Sequence, residues 1–369
     1  MNIIFVSNIS WSLFNFRKGI MVVLRERGHK VSFCATLDGY SARLEAQGFK
    51  FIPVDIDRKG TSFIKDLCLV VRLYNIYKKE KPDFVFHNSI KPNIYGTIAA
   101  RLAGTRCVNT VSGLGYVFIR KNLYFNLVKF LYTLACTFSE KTFFQNKDDL
   151  QLFLDNRLID ADKCALVAGS GVNTEFFKPS DNKHIVSSKQ DFTFLYLGRI
   201  LWDKGIGELI GSVRMLKKHY PLMKLNLLGM IDKGNPAGIS FQQIQEWQDK
   251  GFIKYCGETA DVRPYLASCD CVILPSYREG IPKALLEAAA MELPVIATDV
   301  PGCRNVVEHG ITGFLVEVKD TLDLAKAMEK MIKMSQSQRQ EMGKKGREKV
   351  IREYSEKAVI KEYCTQIGL

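Results

Sequence analysis

Residues 271–288 read CVILPSYREGIPKALLEA, and this stretch decides how the rest of the chain is read. Cys271 to Leu274 form a short continuous apolar run, as expected of a strand covered on both faces. Ser276 to Gly280 are polar or flexible and mark a loop. Pro282 suits the first turn of a helix, where a missing N–H costs nothing. The residues after it are good helix formers. Strand, glycine-bearing loop and helix together make half of a βαβ unit, and in open parallel sheets such loops hold ligands. Two carboxylates mark this one: Glu279 in the loop, and Glu287 about two turns into the helix. Glu287 interrupts the apolar sequence ALLEAAAM, where a carboxylate is costly unless it has a partner or faces a cleft.

The same arrangement occurs upstream. FTFLYLGRILWDKG (192–205) reads as a strand that ends at Gly198 and passes through Arg199 and Lys204 into a helix. A glycine at a strand end lets backbone approach a ligand. Two cations beside a helix N-terminus make a cradle for a diphosphate. Further strands are expected at 224–229, 252–257 and 294–298, with helices at 205–218, 240–250 and 281–292. The first half repeats the alternation, with strands at 3–7, 31–36, 49–54, 84–87, 107–111 and 142–145. Helices are expected there at 13–27, 63–80, 92–103 and 122–138. Alternation of this kind predicts two parallel sheets covered on both faces. The polar, proline-containing segment 178–183 marks the linker. The expected domains are 1–178, 179–350 and a terminal helical segment, 351–369.

Length and composition agree. The chain has 369 residues, 47% of them hydrophobic and 25% charged, which suits two ordinary soluble domains. Ten cysteines are scattered without a CxxC pair or zinc spacing, as in a reduced compartment. The start, MNIIFVSN, reads as a first strand and not as a signal sequence. The net charge is +13, concentrated in residues 1–179, which carry 25 Lys/Arg against 15 Asp/Glu. Such a surplus favours an anionic partner: nucleic acid, a membrane surface or a phosphorylated substrate. No nucleic-acid-binding module accompanies it, so no nucleic-acid partner is expected.

The spacing GRxxxxKG, then EGxPxxxxEA about 75 residues later, then TGFLV at 312–316, resembles family 4 of the retaining GT-B glycosyltransferases. Gly171-Val172-Asn173, Leu228-Gly229, Tyr255-Cys256-Gly257 and Asp299-Val300-Pro301-Gly302 fit as well. The resemblance implies an α/β fold of two Rossmann-like domains facing across a cleft, with a C-terminal helix crossing back to the N-domain. It implies that Gly198, Arg199 and Lys204 hold the diphosphate of a nucleotide-sugar donor. By the same resemblance Glu287 binds the ribose, Glu279 contacts the transferred sugar, and Gly280, Ile281 and Pro282 hold sugar and phosphates. No metal or other cofactor is implied. Retention in such enzymes is explained by front-face attack, with the leaving phosphate taking the acceptor proton.

The N-terminal half is expected to bind the acceptor through Arg17, Asn88, Lys91, Gly113 and Tyr116, with His87 among the catalytic residues. Many relatives carry a Gly-Gly pair in the first loop. Here that loop is SNISWSLFNFR (7–17), without glycine, which leaves Arg17 as its cation. KPNIYG followed by SGLGYVF resembles the subgroup that builds bacterial surface polysaccharides on polyprenyl diphosphate. That implies transfer of a hexose or N-acetylhexosamine from a UDP-sugar to a lipid-linked sugar at the inner face of the cytoplasmic membrane. Residues 116–138 mix aromatics, leucines and Arg120, Lys121 and Lys129, which suits an interfacial helix; Lys78, Lys79 and Lys81 add cationic surface. Three alternatives stand beside this reading. They are a GDP-sugar transferase of the same fold, an epimerase of the same shape, and a non-catalytic nucleotide-sugar-binding partner.

Overall fold

A computed structural model describes residues 1–57, 62–113, 123–179, 192–232 and 234–369. The chain divides into two compact units, Met1–Ser170 with Val359–Leu369, and Gly171–Ala358. The sequence reading had placed these divisions at 178 and 350. The first division comes earlier because Val172 is tied by backbone hydrogen bonds to Tyr354 and Glu356 (2.9 and 3.0 Å), and Arg347 donates to the Phe177 carbonyl at 3.0 Å. These contacts hold 171–177 in the second unit.

The first unit contains seven parallel strands: β1 (Asn2–Ile9), β2 (Lys30–Thr36), β3 (Lys50–Pro53), β4 (Phe84–Asn88), β5 (Arg106–Val111), β6 (Lys141–Phe144) and β7 (Cys164–Leu166). Their order is β3-β2-β1-β4-β5-β6-β7. Side chains alternate across a strand, so β1 feeds two cores. Ile3 and Phe5 pack on one face with Phe33, Phe84 and Phe86, and Phe5 stacks on Phe86 at 4.4 Å. Ile4 and Val6 pack on the other with Leu69, Leu73 and Tyr77 of the helix Phe63–Glu80. Val359, Ile360, Tyr363 and Cys364, from the end of the chain, complete the first of these cores.

The second unit contains six parallel strands: β8 (Thr193–Leu197), β9 (Lys224–Leu228), β10 (Lys254–Tyr255), β11 (Cys271–Leu274), β12 (Val295–Thr298) and β13 (Gly313–Val316), in the order β10-β9-β8-β11-β12-β13. Both units are Rossmann-like, as expected of a GT-B fold.

Local departures are informative. The single helix expected over 13–27 is two, Ser10–Phe16 and Lys18–Glu26, broken at Arg17, whose φ of −131° lies outside the helical range. The helix expected over 92–103 opens with a π-helical turn, Pro92–Gly96. The helix Phe63–Glu80 has the predicted bounds but carries a second apolar stripe. Phe63 and Ile64 are 73% and 74% exposed, and Leu67 and Val71 are also exposed. These positions share one side of a helix. The helix Leu123–Phe138 buries Val128, Tyr132 and Cys136 against Phe144 and Phe153 and leaves Leu127 and Phe130 exposed. Arg120 and Lys121 lie outside the described residues. Among the described residues no helix is long and apolar enough to cross a membrane.

Candidate functional site

In the second unit the chain runs from β8 outward to β9 and β10, then returns to the other side of β8 for β11, β12 and β13. β8 and β11 therefore flank the switch point, where diverging connections open a crevice at the C-terminal strand ends. Both sequence motifs lie there. Gly205 takes a left-handed φ of 71°, and a Cβ on it would collide with the Pro275 carbonyl oxygen. Glycine thus lets the loop after β8 lie directly on the end of β11. The Tyr277 N–H donates to the Asp203 carbonyl at 2.9 Å and ties the two loops. Gly302, at φ 84°, lets the loop after β12 press on the Gly280 carbonyl in the same way.

This packing brings together charges that are far apart in sequence. Lys204 Nζ lies 2.6 Å from Glu279 Oε1, and both side chains are largely buried. Arg199 Nη1 lies 3.3 Å from Asp232 Oδ2 in the segment after β9, and the Tyr196 hydroxyl donates to the Arg199 carbonyl at 2.7 Å. Glu287, in the helix Lys283–Ala290, is 9% exposed. Burial pushes its carboxyl up to about 7, while Lys283, with Nζ at 3.8 Å, pulls the other way. Pro282 precedes the helix, and its carbonyl accepts from the Leu285 and Leu286 N–H groups at 3.1 and 3.3 Å. The first N–H groups of such a helix have no intrahelical acceptor and can meet a phosphate. The crevice therefore offers two cations and the Glu279 carboxylate, and the helix that follows adds an N-terminus and a second carboxylate, Glu287, a set suited to a charged, hydroxyl-rich ligand. The buried Ser276 hydroxyl and Asp203 Oδ1 lack hydrogen-bond partners among the described residues. Among those residues no group of three or more His, Cys, Asp or Glu is placed to hold a metal ion.

Sequence reasoning missed Asp232 and Lys283 as partners of Arg199 and Glu287. Lys283 was visible four residues before Glu287. Asp232 had no local signal, since the sheet order alone places it.

The first unit places the other expected residues as follows. His87, expected to be catalytic, is fully buried in β4. Its Nε2 meets the Tyr77 hydroxyl at 3.0 Å and its Nδ1 meets Asn109 Oδ1 at 3.2 Å. Burial lowers its pKa to about 3, so it is a neutral, fully buried histidine. Lys91, expected at the acceptor, is paired with the buried Asp66 at 2.5 Å, which also accepts from the Tyr95 hydroxyl at 2.9 Å. Arg17 and Asn88, by contrast, come into direct contact. Gly113 follows β5, and Tyr116 lies outside the described residues.

Known proteins resemble this chain over its whole length. Residues 2–146 match the model described as "Glycosyl transferase 4-like", and residues 177–349 match "Glycosyl transferases group 1". An N,N'-diacetylbacillosaminyl-diphospho-undecaprenol alpha-1,3-N-acetylgalactosaminyltransferase of Campylobacter jejuni is 28% identical over 88% of each chain. A UDP-Gal:alpha-D-GlcNAc-diphosphoundecaprenol alpha-1,3-galactosyltransferase of Escherichia coli is 28% identical over 71% of this chain and 69% of its own. Among solved structures, Anabaena HepE in complex with UDP and glucose superposes with a TM-score of 0.80 at 18% identity, over 100% of this chain and 99% of that one.

Proposed function

The chain belongs to the glycosyltransferases, joining a glycosyl transferase 4-like domain to a group 1 domain, and from that premise we propose the reaction it catalyses. It transfers a hexose or N-acetylhexosamine, with retention, from a UDP-sugar to a sugar carried on polyprenyl diphosphate. The observation that carries this reading is the Lys204–Glu279 pair at the β8/β11 switch point. The two similar transferases whose names specify undecaprenyl-diphosphate-linked sugars support the acceptor class.

Lys204 and Arg199 bind the donor diphosphate and stabilise the negative charge that develops on it as the glycosidic bond breaks. The arriving diphosphate competes for the Lys204 ammonium, which frees Glu279 to accept from hydroxyls of the transferred sugar. Glu287 accepts from the two ribose hydroxyls. The leaving phosphate takes the acceptor proton, so no protein nucleophile and no metal ion is required. The enzyme works at the inner face of the cytoplasmic membrane, where the cationic first unit meets anionic lipid.

Calorimetric titration with UDP and with GDP, without added metal, on wild type and Glu287→Ala tests this reading. UDP binding that the substitution abolishes is the expected result. Binding of GDP alone would move the donor class, and binding of neither nucleotide would remove the donor site.

A further inference from the structure

β1 and β4 are the switch-point pair of the first unit: β2 and β3 lie beyond one, and β5, β6 and β7 beyond the other. Arg17 stands at the C-terminal edge of this pair, in the break between two helices. It is 5% exposed. Its Nε donates to Asn88 Oδ1 at the end of β4, and one Nη donates to the Phe16 carbonyl at 3.2 Å. The guanidinium lies over the Tyr363 ring, 5.4 Å from its centroid. Tyr363 is in turn fixed against Phe143 at 4.4 Å. Among the described residues no carboxylate pairs with Arg17. Asp38, the acid that touches this loop, accepts instead from the N–H groups of Trp11 and Tyr40, both at 2.8 Å.

An amide oxygen, a carbonyl and an aromatic face can aim a guanidinium but cannot neutralise it, and a buried charge without a counter-ion is costly. The backbone beside it is also constrained. Ser89, directly after β4, holds a left-handed φ of 83°, an arrangement that persists only where its surroundings impose it. The planar fork of a guanidinium matches a phosphate oxygen pair.

We propose that this edge is an anion site centred on Arg17, that its ligand is a diphosphate, and that Tyr363 is the positioning residue that holds the guanidinium in place. Resting on the function proposed above, the diphosphate is that of the lipid-linked acceptor, so the end of the chain completes the acceptor site. The buried Tyr363 hydroxyl has no hydrogen-bond partner among the described residues, so the ring face is its contribution.

The test uses the full chain in saturating UDP, which occupies the donor site, titrated with inorganic pyrophosphate. Wild type and Tyr363→Phe should bind alike, Tyr363→Leu several-fold more weakly, and Arg17→Gln at least tenfold more weakly. Arg17→Lys, which keeps the charge and loses the fork, should fall between and serves if Arg17→Gln does not fold. In turnover with a polyprenyl-diphosphate-linked sugar, Arg17→Gln should raise acceptor KM at least tenfold and leave the Kd for UDP unchanged. Unaltered pyrophosphate binding in Arg17→Gln overturns the site. A tenfold loss of UDP affinity in that variant assigns the diphosphate to the donor and overturns the acceptor assignment. Pyrophosphate binding through Arg17 in an enzyme that never uses a lipid-linked acceptor would uphold the anion site while the proposed function fails.

Discussion

Glu287 shows how one buried carboxylate couples stability to pH. Its carboxyl is raised to about 7 in the folded chain, so between the usual carboxylate range and pH 7 the folded state holds a proton that the unfolded state has lost. Stability therefore falls as pH rises through that window, by up to about 3 kcal/mol for a shift of this size. Glu287→Gln should flatten this dependence and be the more stable protein at pH 8, as denaturant midpoints at pH 5 and 8 would reveal. Under the proposed ribose contact, UDP binding should run the other way, since an ionised carboxylate is the better acceptor for hydroxyls. Wild-type affinity should rise relative to Glu287→Gln as pH passes 7, and parallel pH profiles for the two proteins would exclude a ribose contact. Lys204→Ala removes the partner of Glu279 and a cation of the proposed diphosphate cradle. Turnover should fall by roughly 10²-fold or more with the fold retained in circular dichroism, and near-normal turnover would remove Lys204 from the site.

Among the elements, the helix Phe63–Glu80 is unusual in having two apolar faces. One is accounted for by the core of the first unit, and the other exposes Phe63, Ile64, Leu67 and Val71. Exposed apolar clusters of this kind mark interaction surfaces. With Lys78 and Lys79 at the end of the same helix, and Lys65 and Arg72 on it paired with Asp57 and Asp55, the partner to test is an anionic bilayer. Replacing Phe63, Ile64 and Leu67 by serine should cut binding to vesicles containing phosphatidylglycerol at least tenfold, given roughly 1.5–3 kcal/mol for each large apolar side chain withdrawn from lipid. Pyrophosphate binding by the same variant should be unchanged, and undiminished vesicle binding would assign membrane contact elsewhere. The elements that escaped sequence reading share a cause. β7 has three residues and β13 begins at a glycine, so neither offers enough periodicity to be seen apart from its neighbour in the sheet. The break at Arg17 was hidden because the apolar pattern continues through it, and the sheet edge, not local propensity, turns that residue inward.

On the scale of the whole molecule, the first unit is closed by residues more than 180 positions away in sequence. Ile360→Ala should lower the stability of this unit by about 2–5 kcal/mol. Hydrogen exchange would report it as lost protection in β1 to β7 with β8 to β13 unaffected; equal losses in both sheets would mean that the units unfold as one. The sequence by itself determined the two parallel sheets, most of their strands and the two loop motifs that carry Arg199, Lys204, Glu279 and Glu287. It could do so because strand periodicity, glycine at strand ends and motif spacing are local properties, written within a few turns of chain. Tertiary structure alone decided which charges meet. Sheet order put Asp232 beside Arg199, buried His87 and gave Lys91 to Asp66. It also brought Asn88 and the distant Tyr363 onto Arg17, because contact between remote residues follows from strand neighbours and crossover paths, which no local pattern encodes.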